Sequence, residues 1–294
     1  MNATNVVNLL TIAGLVAIML SMGFKVTFAE VAAPMRRPRL VVSGLLANFV
    51  LAPAATAALL YLFEANPSVS VGFLILAVCP GAPLGPPFTA IAKGDVAYAT
   101  GQMVILAGLS ALLSPALLSL ILPQLFPASN LNIDYLVIVK TLLVSQILPL
   151  GLGLSVHHVA PNFTSRIAKA VGLVGNLLLL SVVVLALVQQ YEFLASIRPR
   201  GWIAMAILLA ATVGIGWVCG GPGRATRKAL AVTTGVRNAA VALVIVSGNF
   251  ADTAAVTAVV AYALLSIFAT LGVAFLLAAV PQRDRFREDR HKAQ

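Results

Sequence analysis

Long apolar segments recur along the whole chain, and only short polar stretches separate them. An α-helix of about 20 apolar residues is long enough to cross the hydrocarbon core of a bilayer. The pattern predicts nine such spans, near residues 5–24, 38–62, 69–92, 95–122, 134–157, 164–189, 201–220, 225–250 and 253–280. A β-barrel would instead show segments of about ten residues in which apolar and polar positions alternate. The chain is therefore predicted to be an all-α polytopic membrane protein.

Composition agrees with this prediction and excludes a soluble domain. Of 294 residues, 60% are hydrophobic and 10% charged, and the mean hydropathy is +1.00. The two cysteines, Cys79 and Cys219, both lie in apolar segments, so no disulfide framework is expected. No basic region precedes the first segment, which we interpret as a retained helix and not as a signal peptide.

Basic residues are concentrated in every second loop and in the tail 281–294. Those in the loops are Lys25, Arg36, Arg37, Arg39, Lys93, Arg166, Lys169, Arg224, Arg227 and Lys228. The opposite side carries only Arg198 and Arg200. The positive-inside rule then predicts a multi-pass protein of the cell (inner) membrane with the N-terminus outside and a basic cytoplasmic tail. The net charge of +10 thus follows from topology, and the expected partner is the lipid bilayer, not nucleic acid.

Two basic residues remain, and both lie inside apolar segments. Lys140 is about two turns into its span, from where it can extend to the surface. Arg237 lies near the middle of segment 225–250, where an arginine costs roughly 2.5–3.5 kcal/mol and usually marks a functional site. All nine acidic residues lie in loops, in the tail or at span ends, so Arg237 has no evident counter-ion.

Two segments contain residues that interrupt helices. Around Arg237, the stretch Thr233–Asn238 offers hydroxyls, a glycine and an amide, which favour an unwound point over a continuous helix with a surface-directed arginine. Segment 77–88 holds four prolines and two glycines, which favour a break over a re-entrant loop or a kink. We predict non-helical chain around Gly81–Pro86 and around Thr233–Arg237.

Paired broken helices in two halves are typical of secondary transporters with inverted repeats. The predicted repeats cover about 5–122 and 134–280, and their breaks are expected to cross. Helix N-termini near Pro87 and Asn238 would then direct partial positive charge at the crossing. Together with Arg237 they predict an anion-binding site.

Several short motifs, in order along nearly the whole chain, resemble the bile acid:sodium symporter family. They are Ser21-Met22-Gly23 with Arg37-Pro38, Asn48–Pro53, Cys79-Pro80-Gly81 with Lys93–Val96, Thr233–Asn238 and Leu265–Phe268. The resemblance implies a core domain with two crossed, broken helices beside a panel domain, in a nine-span form lacking the first span of many members. It also implies transport of an organic anion, bile-acid-like or a small carboxylate, by alternating access.

This chain departs from the family at the positions that resemble sodium ligands. The family's sodium-site residues fall at Thr233, Arg237, Gly85, Pro86, Ala99, Met103 and Asn48. Most side-chain oxygens are absent there, and a guanidinium is present. We therefore expect no metal site, no cofactor and no sodium coupling, with a backbone-built sodium site as the alternative. The expected substrate site comprises Arg237, Asn238, Thr233, Asn48, Thr270, Ala82, Pro83, Pro86 and Pro87.

Three other functions stay open at this point. An arsenite-exporter-like efflux protein would use Cys79 as a thiolate ligand. A membrane enzyme finds no support, because His157, His158 and His291 form no metal-binding spacing and no acid lies at depth. A non-transporting sensor would show no flux in liposomes.

Overall fold

The computed structural model describes residues 3–126, 134–189, 191–195, 197–250 and 253–280. The α-helices are α1 (Ala3–Gly23), α2 (Phe28–Ala32), α3 (Pro38–Leu46), α4 (Ala52–Leu62), α5 (Pro67–Ala77), α6 (Gly85–Ile91), α7 (Val96–Leu125), α8 (Tyr135–Leu142), α9 (Leu148–Val159), α10 (Pro161–Gln189), α11 (Tyr191–Ala195), α12 (Pro199–Cys219), α13 (Arg224–Gly235), α14 (Ala239–Asn249) and α15 (Ala254–Ala278). A 3₁₀ turn at Ala33–Arg36 precedes α3. The predicted tail 281–294 lies outside the described residues.

The molecule is a polytopic all-α membrane protein, as predicted. Eight helical segments of the described residues are long and apolar enough to cross a bilayer. The remaining predicted span, 69–92, is built from the two short helices α5 and α6 with a non-helical segment between them. Predicted and observed helix ends agree within a few residues. The count of nine crossings and the inverted repeats stay predictions.

The first break is confirmed, although it begins earlier than predicted. The chain is non-helical from Val78 to Leu84, whereas Gly85 and Pro86 form the first turn of α6. The prediction was wrong for these two residues because a proline is tolerated at the start of a helix, where its missing N–H has no intrahelical partner. The second half-helix of this span therefore begins two residues before Pro87.

The second break is also confirmed, and it is shorter than predicted. It covers only Val236–Asn238. Thr233, expected in the break, is helical, and its hydroxyl donates to the Ala229 carbonyl at 2.9 Å. This bond to the preceding turn satisfies the hydroxyl without unwinding the helix. Asn238 caps α14, because its side-chain oxygen accepts from the Val241 N–H at 3.3 Å.

Two π-helical turns, which the sequence analysis did not predict, interrupt other spans. They cover Ala47–Leu51 between α3 and α4, and Leu143–Ile147 between α8 and α9. Each is followed by a proline, Pro53 or Pro149, whose missing N–H prevents a regular helical bond. Such turns recur at functional sites.

The loops rich in basic residues meet at one end of the helix bundle. The contacts that join them are an Arg37–Asp95 ion pair of 3.4 Å, a bond of 3.0 Å from the Asp95 N–H to the Ala225 carbonyl, and a bond of 2.8 Å from Lys228 Nζ to the Val280 carbonyl. The first, third and seventh loops therefore share this end with the end of α15. Nine crossings would produce this arrangement, and which side of the membrane it faces stays a prediction.

The helices pack in two groups. The first contains α1, α9 and α10, which contact one another. The second contains the pairs α12–α13, α5–α15 and α6–α7, together with α4 and α14. The two breaks lie in the second group, and α1 contacts this group through α14. The division into a core and a panel domain stays a prediction.

Candidate functional site

The two breaks meet through hydrogen bonds made by Asn238. Its backbone N–H donates to the Cys79 carbonyl at 2.9 Å, and its side-chain amide donates to the Gly81 carbonyl at 3.3 Å. Backbone groups left unpaired by one break are thus satisfied by the other, which is the condition for non-helical chain at membrane depth. The prediction that the two breaks approach each other is confirmed, and we call this contact region the crossing.

Two glycines allow the close approach at this crossing. Gly81 has a φ of +84°, and a Cβ there would lie 2.5 Å from the backbone nitrogen of Ala107. A Cβ at Gly85 would lie 2.8 Å from Thr233 Cγ2. The first glycine is needed for its left-handed conformation and for space, and the second for space.

Arg237 lies within the crossing and is 3% exposed. Its Nη1 donates to Asn48 Oδ1 at 3.2 Å. The amide nitrogen of Asn48 in turn donates to the Gly44 carbonyl at 2.9 Å and contacts Thr234 Oγ1 at 3.2 Å. The π-turn therefore holds Asn48 against the second break. Arg237 Nη2 has no hydrogen-bond partner, and Arg237 forms no ion pair within the described residues.

Thr270 borders the same break from α15. Its hydroxyl is buried and has no partner in the described part of the chain. Thr270 Oγ1 lies 3.2 Å from the point that a Cβ on Gly235 would occupy. The structure therefore brings five predicted residues to the second break. They are Arg237, Asn238, Thr233, Asn48 and Thr270.

The predicted site residues of the first break lie partly on its buried side and partly on its exposed side. Ala82 is buried and packs in a cluster with Val236, and Pro86 is also buried. Pro83 is half-buried, and Pro87 is exposed. The structure thus places Pro87 away from the packed side that holds Arg237.

The positions that resemble sodium ligands offer few free oxygens. Gly85, Pro86, Ala99 and Met103 have no side-chain oxygen. The Thr233 hydroxyl donates its proton to the preceding helical turn and keeps its oxygen lone pairs, and the Asn48 oxygen accepts from Arg237. No group of three or more His, Cys, Asp or Glu side chains occurs among the described residues.

Two buried glutamines near the crossing were missed by the sequence analysis. Gln102 of α7 packs against Gly44, and neither of its amide atoms has a partner among the described residues. Gln146 lies in the second π-turn, donates to the Ala107 carbonyl and contacts Ser110 Oγ at 2.9 Å. The available signal was an amide in the middle of an apolar segment, which is a polar group that needs a partner in the membrane.

Cys79 contributes its backbone, not its thiol, to the crossing. Its side chain has no exposed surface and lies in the main hydrophobic cluster. Its carbonyl accepts the bond from Asn238. Buried structural cysteines of this kind are inert, whereas reactive ones are partly exposed in electropositive surroundings.

Known proteins are similar to this chain over most of its length. A chloroplast protein of Oryza sativa subsp. japonica, named a probable sodium/metabolite cotransporter, is 27% identical over 81% of this chain and 57% of its own. The ileal sodium/bile acid cotransporter of Cricetulus griseus is 26% identical over 80% of this chain and 68% of its own. An uncharacterized sodium-dependent transporter of Bacillus subtilis is 21% identical over 81% of this chain and 74% of its own.

The chain thus spans from little more than half to about three quarters of the length of these relatives. The sodium bile acid symporter family matches residues 12–197, which is more than half of the chain. The match includes the first break and the Asn48 turn, and it contains the motifs up to Lys93–Val96, whereas Thr233–Asn238 and Leu265–Phe268 lie beyond it. The chain belongs to the sodium bile acid symporter family.

Proposed function

We propose that this protein carries an organic anion across the cell membrane by alternating access, without sodium coupling. In this proposal Arg237 binds the anionic group at the crossing. The observation that carries it is the guanidinium itself, which is 3% exposed and, within the described part of the chain, bonded through Nη1 to a neutral amide while Nη2 has no partner.

An anionic ligand would satisfy what the crossing leaves unsatisfied. A buried charge without an opposite charge is costly, and a buried donor without an acceptor costs about 1–3 kcal/mol more than a paired one. A carboxylate beside Arg237 would accept from Nη2 and neutralise the guanidinium. The N-terminus of α14, which begins directly after Asn238, adds partial positive charge at the same place.

Sodium binding is disfavoured by the same arrangement. A sodium ion needs several oxygen ligands, but the Asn48 oxygen already accepts from Arg237, and Thr233 supplies a single neutral hydroxyl oxygen. The guanidinium would also repel a cation, and buried charges are screened only weakly by salt. We propose that Arg237 supplies permanently the positive charge that bound sodium supplies in relatives.

A sodium-coupled symporter is the second candidate, and the names of the relatives favour it. The rice protein is named for sodium and a metabolite, and the hamster protein for sodium and bile acid. In this chain such a site would have to use backbone carbonyls at the breaks. The Cys79 and Gly81 carbonyls each accept one bond from Asn238, which leaves one lone pair on each for an ion.

Transport further requires that Arg237 become accessible from each side in turn, because it is sealed in this conformation. We propose that the orientation is the one predicted from the loops, with the N-terminus outside and the C-terminus in the cytoplasm. The end carrying Arg198 and Arg200 then faces outward.

Uptake by proteoliposomes tests the proposal. Purified protein is reconstituted, and the uptake of radiolabelled taurocholate, pantoate and pyruvate is measured against protein-free vesicles. We expect uptake of at least one probe, lost in Arg237→Gln. Lys140→Gln is the matched control, because Lys140 also lies in an apolar segment but is exposed. Binding of a probe without any flux would contradict the proposal and indicate a sensor.

A further inference from the structure

A cavity of about 480 Å³ lies at the end of the bundle opposite the basic loops, among α4, α5, α12 and α15. These four helices contact one another in a ring, since α4 packs on α5, α5 on α15, α15 on α12 and α12 on α4. The cavity begins at the turns that join the helices, near Phe63 and Ile197, and extends inward to Ala261. Neither Arg237 nor Asn48 lines it. It is therefore distinct from the crossing.

The inner part of this cavity is mostly apolar, and the hydroxyl of the lining residue Thr56 donates to the Ala52 carbonyl of its own helix. Its walls include Leu60, Val69, Phe73, Met205 and Leu208. The distance along α12 from Arg198 to Leu208 is about 15 Å, at 1.5 Å per residue. A cavity of this depth and volume is in the range that encloses one small-molecule ligand, for which about 300–1,000 Å³ is usual.

The mouth of the cavity carries positive charge. Arg198 and Arg200 both line it, and both are exposed. Arg200 lies over the ring of Phe63, another lining residue, with its guanidinium carbon 5.5 Å from the ring centroid. None of the described residues that line the cavity is acidic. Glu64, which lies between the lining residues Phe63 and Ala65 in sequence, is exposed and does not line the cavity.

Three helices begin at this mouth. They are α5, which starts at Pro67 after the lining residue Asn66, α12, which starts at Pro199, and α15, whose first residue Ala254 lines the cavity. Each N-terminus contributes partial positive charge. The charge therefore has two sources, arginine side chains and helix ends, and both lie above an apolar interior.

We propose that this cavity binds a single-chain amphipathic carboxylate. The carboxylate lies at Arg198 and Arg200, and the alkyl chain extends inward between Phe73 and Leu208. One chain is expected, because the four helices surround one apolar cavity of about 480 Å³ below the two arginines. The site is independent of the anion proposed at Arg237.

Equilibrium binding of radiolabelled laurate tests the proposal. The full-length protein is placed in phosphatidylcholine nanodiscs, and binding to empty nanodiscs is subtracted. We expect one saturable site per chain and weaker binding of shorter acids, by about threefold to fourfold for each methylene removed. Dodecanol, which has the chain without the charge, should compete poorly.

Variants at both parts of the cavity test its location. Arg198→Gln with Arg200→Gln should weaken laurate binding about tenfold, whereas Arg36→Gln with Arg39→Gln, a matched charge removal at the other end, should not. Filling the cavity by Ala204→Phe should abolish binding. Thermal melting and gel filtration verify that each variant is folded.

Two further variants separate the possible outcomes. Val69→Phe fills the cavity from α5 and should also abolish binding, and Arg237→Ala should leave it unchanged. Unaltered affinity in the double arginine variant and in both filled variants would overturn the proposal. Binding lost in Arg237→Ala alone would also overturn it, since laurate would then occupy the crossing. So would displacement of laurate by phosphatidylglycerol but not by other single-chain carboxylates.

Discussion

Arg237→Ala should have opposite consequences for the empty and the anion-bound protein. In the empty protein it removes a buried charge that, among the residues that the structure describes, has a bond of 3.2 Å to a neutral amide and no partner for Nη2. The loss leaves Asn48 Oδ1 without its donor, at about 1–3 kcal/mol, but it also removes the penalty of burying an uncompensated guanidinium. Because these effects oppose each other, the melting temperature of the empty protein should change little.

The bound protein should lose a charge-assisted interaction. A hydrogen bond to a charged group contributes roughly 1.5–3 kcal/mol, so the affinity for a carboxylate should fall by about tenfold to a hundredfold. Arg237→Gln, which retains an amide donor near Asn48 but removes the charge, should weaken the affinity nearly as much. Lysine retains the positive charge but lacks the planar guanidinium, so the carboxylate affinity of Arg237→Lys should lie between those of the wild type and of Arg237→Gln.

Thermal-shift titrations with taurocholate, pantoate and pyruvate measure both effects on one sample. The account predicts a small change in melting temperature without ligand and a strongly reduced ligand-induced increase. Lys140→Gln should behave as wild type in both. An unchanged affinity in a folded Arg237→Ala protein would refute the assignment of Arg237 to the anion.

Three further predictions concern the crossing and the topology. Gly81→Ala should lower both the melting temperature and the transport rate, because a φ of +84° and a distance of 2.5 Å from the added Cβ to the Ala107 backbone nitrogen exclude a side chain there. Gly108→Ala is the control and should lower neither, because no atom lies within 4 Å of its added Cβ. Equal effects of the two substitutions would contradict the close approach at Gly81. Cys79→Ser should leave anion uptake intact. If cells that carry this variant instead lose an arsenite resistance that the wild-type protein confers, the result would support efflux through a Cys79 thiolate. Single cysteines at Ser68 and Arg39, in a cysteine-free background, should be labelled from opposite sides, and labelling from one side would refute the predicted topology.

Most of the fold was predictable because membrane helices have a strong local signal. Apolar length located the spans, and the prolines located the first break. The limits of the breaks were less predictable, because they depend on individual bonds. Thr233 remains helical through its bond to Ala229, and Gly85 and Pro86 begin a helix that a count of helix breakers would not show.

The candidate site was predictable in its charged residue but not in its full environment. Arg237 was evident from its depth in an apolar segment. Its partner Asn48 followed from the family resemblance, whereas the π-turn that holds Asn48 in place depends on tertiary packing. Gln102 and Gln146 were missed, since nothing in their local sequence shows that they face α3 and the region of Gly81. The cavity at Arg198 and Arg200 arises from four helices that are distant in sequence.

The most direct test of the central claim is anion uptake by proteoliposomes in which external sodium is replaced by potassium or choline. If Arg237 supplies the positive charge that sodium supplies in relatives, the initial rate of uptake should be the same in all three salts. Loss of uptake on replacement, restored by millimolar sodium, would contradict the claim and show that this chain retains sodium coupling through a site built from its backbone.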